Sequence, residues 1–78
     1  MARLRLFGPA REAAGVSCVT LPGHRVSGIV AAAEAQFGER FAQIVATSNI
    51  WVNGDAAEPD TEVSDDDEVA VIPPVSGG

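Results

Sequence analysis

The residues with the clearest chemical potential in this sequence are its last six, Pro73-Pro74-Val75-Ser76-Gly77-Gly78. Each proline fixes its own φ and disfavours a helical residue before it, so the pair holds the chain extended. Such a stem projects the residues that follow it away from a folded body. Val75 supplies an apolar anchor and Ser76 a small polar one. Gly77 and Gly78 have no side chains and can thread a channel too narrow for any other residue. The carboxyl group of Gly78 is the least hindered that a chain can present. The arrangement predicts delivery of a C-terminal carboxyl group into the active site of another protein. The ordinary alternative is a frayed tail that happens to end in glycine, and it leaves the order of these six residues unexplained.

Other positions offer less. His24 is the only histidine and stands beside Pro22 and Gly23, which predicts a solvated loop residue. Cys18 falls inside a strand-like stretch, where a cysteine ordinarily behaves as a small buried apolar group; a nucleophilic or persulfide role would require electropositive neighbours and access. The run "DTEVSDDDE" is acidic, yet it lacks the alternating ligands and central glycine of a calcium loop, so a solvated acidic turn is expected. No phosphate-binding glycine loop or serine–histidine–carboxylate order is present. The chain is therefore expected not to be an enzyme on its own, and to hold no metal and no bound cofactor.

The bulk numbers set the frame. Seventy-eight residues form one small domain, near the lower size for a core that folds unaided, and a hydrophobic content of 46% can build that core. A single cysteine excludes an internal disulfide framework and multi-cysteine metal sites. Five basic residues against 11 acidic ones give a net charge of -6. That is too few basic residues for the face that nucleic acid requires, and an acidic surface suits a basic protein partner or solubility. All five basic residues are arginines. Genome composition is the ordinary cause, and the absence of lysine also leaves no side-chain amine to capture an activated carboxyl group. "MARLRLFGPA" lacks the apolar run of a signal peptide, and no stretch is long and apolar enough for a bilayer. A cytoplasmic protein bound to neither membrane nor nucleic acid is the expectation.

These residues must be positioned by a small set of elements. "ARLRLF" alternates Leu4 and Leu6 against Arg3 and Arg5, the period of a half-buried strand. "GPAREAAG" turns at Gly8-Pro9, with room for one short helical turn, and "VSCVTL" resumes strand character. Val26, Ile29, Val30, Ala33 and Phe37 then form an apolar stripe at helical spacing, capped at Gly38, with Gly28 weakening the first turn. "ERFAQIVATS" adds a second short helical segment through Phe41, Ile44 and Val45. "NIWVNGD" is a strand ending in the turn Asn53-Gly54. A polar connection with one very short strand follows, and "EVAVI" is the last strand, stopped by Pro73. One main helix on one face of a mixed sheet of four to five strands is the natural α+β solution. The domain is expected to span residues 1–72, with 73–78 as an extended tail.

At this level the chain resembles a known family. "DDDEVAVIPPVSGG" is similar to the ending of the MoaD family, the small sulfur-carrier subunits of molybdopterin synthase, related to the ThiS carriers. "LFGPAREAAG" resembles its first strand and loop, with Phe7, Arg11, Glu12 and Gly15 in matching places, and "WVNGD" resembles its central strand and turn. One departure is Asp66, where relatives commonly carry glycine in the turn before the last strand. The resemblance implies a β-grasp, ubiquitin-like fold and a role in molybdenum cofactor biosynthesis. It implies that an adenylating and sulfurating enzyme uses ATP to activate the Gly78 carboxylate and replaces AMP by sulfur, leaving a thiocarboxylate. The tail would then enter the large catalytic subunit, in a heterotetramer of two small and two large subunits, and give sulfur to a pterin precursor. Phe7 and Arg11 are the partner-binding candidates. An aromatic at a strand end is a common interface anchor, although a place in the core is the competing reading for Phe7. Carriers for thiamin, cysteine or tRNA thiolation, and ubiquitin-like modifiers that form isopeptide bonds, are the alternatives.

Overall fold

Alternating side chains in the first strand divide the molecule into a packed side and an open side. The computed structural model describes residues 1–74. In β1 (Ala2–Leu6), Ala2, Leu4 and Leu6 are buried and Arg3 and Arg5 are exposed. β1 runs antiparallel to β2 (Cys18–Leu21) and parallel to β5 (Glu68–Ile72). β5 in turn pairs antiparallel with β3 (Asn49–Val52), which carries the two-residue β4 (Asp55–Ala56) on its outer edge. The sheet order is β2-β1-β5-β3-β4. A mixed five-stranded sheet covered on one face by helices is the β-grasp, ubiquitin-like α+β fold that the sequence predicts.

Three helices cover the packed face. α2 (Val26–Phe37) buries Val26, Ile29 and Ala33, with Val30 and Phe37 partly buried beside them, which is the predicted stripe. Its first amide groups have no side-chain cap. The amides of Val26 and Ser27 instead donate to the carbonyls of Thr61 and Pro59 at 2.9 and 3.0 Å, so loop backbone satisfies the helix start. Gly38 ends α2 by donating its amide to Glu34, and its carbonyl accepts from Ala42 in the next helix. Serving both ends needs φ +97 and ψ -175, a conformation a side chain would resist. α3 (Glu39–Ala46) follows, with Phe41 fully buried and its ring 5.2 Å from that of Phe37.

The segment predicted to hold one short turn is longer than expected. α1 spans Gly8–Ala14, with Pro9 in its first turn and Ala10 fully buried. Proline suits that position because its missing N–H would have no partner there. The alanines at 10, 13 and 14 pack into the core and favour helix, while Arg11 and Glu12 stay outside.

A clasp of polar groups closes the end of the sheet opposite the tail. Asn53 and Gly54, at φ 50 and 88, make the predicted tight turn between β3 and β4. The Asn53 side chain donates to Asp67 at 2.9 Å and accepts from the Glu68 amide at 3.0 Å. The second oxygen of Asp67 accepts from the Ser64 amide at 2.8 Å. The Asp67 backbone carbonyl accepts from the Arg3 amide, so one residue ties β1, β3 and β5 together. The acidic turn is solvated, as expected, and Asp67 in addition carries these structural hydrogen bonds. Asp65 meets the amino group of Met1. Asp66 needs no glycine: among the described residues the only non-glycine with positive φ is Asn53, and the turn closes through the Asp67 amide and the Ser64 carbonyl at 3.0 Å.

The hydrogen bonds from Ser64 and Asn53 hold the Asp67 carboxyl below the usual aspartate range. A carboxyl with a folded pKa below its unfolded one contributes stability that is complete above about pH 4 and is lost as pH falls through the folded value. Asn53→Ala removes one donor to this carboxylate. It is expected to raise the Asp67 midpoint in a carbon-detected NMR titration and to move the acid unfolding limb to higher pH. An unchanged midpoint would contradict the clasp.

Candidate functional site: the open sheet face and the tail exit

The face of the sheet away from the helices carries side chains that no other element covers. The strand register builds it in rows. Cys18 pairs with Arg5, Arg5 with Ala70, Ala70 with Trp51 and Trp51 with Ala56, so a single row crosses all five strands. In the neighbouring row Thr20 pairs with Arg3 and Arg3 with Glu68. Toward the tail, Asn49 pairs with Ile72. The face is thus an apolar centre of Ala70, Trp51 and Ile72 bordered by Arg3 and Arg5.

Phe7 belongs to this face and not to the core. Its φ of -129 and ψ of 151 continue the extended backbone of β1, and the alternation that buries Leu6 turns Phe7 outward, where it is 43% exposed. The Arg5 guanidinium carbon lies 5.8 Å from the ring centre, within cation–π range. Arg5 also reaches Glu68, at 3.8 Å. This pair is solvent-exposed and contributes little stability; its effect is to hold Arg5 across the sheet. Because Leu6 pairs with Val71 in parallel, Phe7 lies at the same end of the sheet as Ile72 and the prolines that follow.

Of the predicted tail residues, Pro73 is buried and Pro74 exposed. Val75, Ser76, Gly77 and Gly78 lie outside the described residues. Arg11 is exposed on α1 and, with Gly15, Val16 and Ser17, lines an open polar hollow at the α1–β2 loop. Arg11 and Phe7 thus flank the same turn, since the Phe7 carbonyl accepts from the Arg11 amide.

Two sequence readings need adjustment here. Cys18 is exposed, contrary to the expectation of a buried apolar role. It opens an edge strand in which Val19 and Leu21 take the inward positions, so alternation leaves Cys18 on the open face. Trp51 was not singled out, although it is 37% exposed at the centre of that face. The available signal was its position between Ile50 and Val52, out of phase with the two residues that face the core. His24 is exposed, as expected of a loop residue. Among the described residues no helix is long and apolar enough to cross a membrane, and no group of three or more His, Cys, Asp or Glu residues is placed to hold a metal ion.

Known proteins agree with this geometry. No curated protein matches the sequence. A putative molybdopterin converting factor subunit 1 from Pyrococcus furiosus superposes with a TM-score of 0.79 at 33% identity, over 95% of this chain and 97% of that one. Small archaeal modifier protein 1 from Methanosarcina acetivorans gives a TM-score of 0.88 at 25% identity, over 99% and 95%. A chain of the BexX/CysO complex of Amycolatopsis orientalis gives 0.85 at 22% identity, over the full length of both, which speaks to the fold alone. The model of the ThiS family matches residues 4–78, from the first strand through the diglycine. The chain belongs to the ThiS family of ubiquitin-like sulfur carriers.

Proposed function

We propose that this protein carries sulfur for molybdenum cofactor biosynthesis, as the small subunit of a molybdopterin synthase. The observation that carries the reading is the exit of β5 beside Phe7, followed by Pro73 and Pro74 and the sequence Val-Ser-Gly-Gly. A proline pair cannot continue the ladder, so the tail leaves at the end of the sheet where the apolar open face also ends. A partner that grips this face therefore also lies beside Pro73 and Pro74, from which the last four residues continue. The 33% identity with the Pyrococcus furiosus protein supports the choice of pathway.

In this reading the chain supplies a carboxyl group and its partners supply catalysis. The Gly78 carboxylate attacks the α-phosphate of ATP on an adenylating enzyme, giving an acyl-adenylate and releasing pyrophosphate. A sulfur donor then displaces AMP and leaves a thiocarboxylate. Within the large subunit this sulfur passes to the pterin precursor, and water restores the carboxylate. Two sulfurs complete a dithiolene, so two carriers or two rounds serve each product, which a heterotetramer of two small and two large subunits accommodates. The reading requires no cofactor on this chain and assigns ATP to the partner. The second reading is a protein modifier, favoured by the likeness to small archaeal modifier protein 1. It predicts the same adenylate but an isopeptide bond to a lysine as the end point.

Three outcomes test the carrier reading. Extending the chain by one residue beyond Gly78 should abolish thiocarboxylate formation and leave the melting temperature unchanged. Activity in an extended protein shown to be unprocessed would refute the free-terminus requirement. Gly77→Ala should slow adenylation or sulfur transfer at least about tenfold, because overpacking a close-fitted channel costs roughly 1–3 kcal/mol and 1.4 kcal/mol is a factor of ten. Ser76→Ala, which adds no bulk, is the milder control, and equal rates for both would remove the channel from the account. Phe7→Ala should weaken binding to the large subunit at least about tenfold, with a small change in melting temperature because the ring is outside the core. A loss of folding without a separate binding defect would overturn its role as an anchor.

A further inference from the structure

The helical side of the molecule carries a second apolar concavity, on the opposite face of the sheet from the open face. It is a hollow of about 280 Å³ between the start of α2, the end of α3, β3 and the loop after β4. Val26, Val30, Val45, Ile50, Ala57 and Pro59 form its walls, with Ser27 and Glu58 at the lining's polar positions. Ile50 points to this side of β3, whereas its neighbour Trp51 points to the open face. The walls are tied together by backbone: the Ser27 amide donates to the Pro59 carbonyl at 3.0 Å, and the Ala57 amide to the Ile50 carbonyl at 2.9 Å. The elements that wall the hollow are therefore held together by the fold's own backbone bonds.

Size and chemistry narrow its occupant. Pockets for drug-sized ligands or cofactors range from roughly 300 to 1,000 Å³ and carry several convergent polar groups. This one lies at the lower end of that range and is nearly devoid of polar lining, which suits an apolar side chain. Its surroundings are acidic. Residues 57–64 hold Glu58, Asp60 and Glu62 and no basic side chain. Of these, Glu58 lines the hollow, and Asp60 and Glu62 are exposed on the same loop. Arg25, whose backbone bridges to Glu62, is the cation at this end. On the open face Arg3 and Arg5 stand beside Glu68, with which Arg5 pairs.

We propose that this hollow is a second protein-docking site, which takes one apolar side chain presented between basic residues of a partner. Charge complementarity with the 57–64 loop selects the flanking residues, and the apolar walls select the anchor. A partner held here leaves the open face free for a second protein. The proposal does not rest on the carrier reading.

The test is an NMR titration of the ¹⁵N-labelled full chain with the blocked tripeptide acetyl-Lys-Leu-Lys-amide. Saturable shifts are expected at Val30, Ile50 and Ala57, with a Kd below about 10 mM, and not at Arg3, Arg5 or Trp51. Replacing the peptide's leucine by serine should weaken binding at least about tenfold. Replacing its lysines by glutamates should do so too. Ala57→Leu fills the hollow from within and should remove the shifts while the melting temperature holds or rises. Glu58→Lys, a surface change that leaves the core untouched, should weaken the lysine peptide several-fold. Absence of saturable shifts, equal binding of the glutamate peptide, shifts confined to the open face, or undiminished binding to Glu58→Lys would each overturn the proposal.

Discussion

The parallel pairing of β1 with β5 is the constraint on which the arrangement depends. The first and last strands lie side by side in the middle of the sheet and point the same way, with Arg3 opposite Glu68 and Leu6 opposite Val71. A parallel pair cannot be joined by a tight turn. Everything between them, the β2 return, the helices and the β3–β4 hairpin, forms the crossover. The same pairing places the end of β1 and the end of β5 at one edge of the molecule. Phe7 and the Pro73-Pro74 exit are therefore neighbours by topology. An antiparallel pairing would have sent the tail out at the opposite edge, beside the Asn53–Asp67 clasp.

Sequence patterns of short range were legible because their causes are local. The alternation in β1 follows from the pleat, and the α2 stripe from the helical repeat. The break at Gly38 and the Asn53-Gly54 turn follow from backbone conformations that few residues adopt. Features decided across the sheet were not. Cys18 has strand-like neighbours on either side, and only the register with Arg5 and the edge position of β2 place it in solvent. Trp51 reads as one more apolar strand residue until β5 and β4 fix which face it takes. Asp67 is indistinguishable in sequence from Asp65 and Asp66. Its role appears when the turn after β3 is brought against the start of β5, some 14 positions away. The length of α1 was underestimated because the buried surface that stabilises seven residues of helix belongs to α3 and the sheet.

Of the tail read from sequence, Pro73 and Pro74 lie at the end of β5 as expected, because proline cannot continue the ladder, and residues 75–78 lie outside the described residues. The surface that would aim the tail was less legible. Phe7 was evident from its place at a strand end, but its apolar companions Ile72, Ala70 and Trp51 come from two other strands. The separation of charge has the same origin. Arginines of β1 border the open face, while the acidic residues concentrate in the connection from β4 to β5.

The central claim is that Gly78 is the chemically active end of this protein, and intact-mass spectrometry of the chain purified from its own host reads that end directly. The account predicts a population with the terminal carboxylate converted to a thiocarboxylate, enriched when the large subunit is absent and the sulfur is not consumed. A terminus found as unaltered carboxylate under all conditions, or joined to a lysine of another protein as its only modified form, would contradict it.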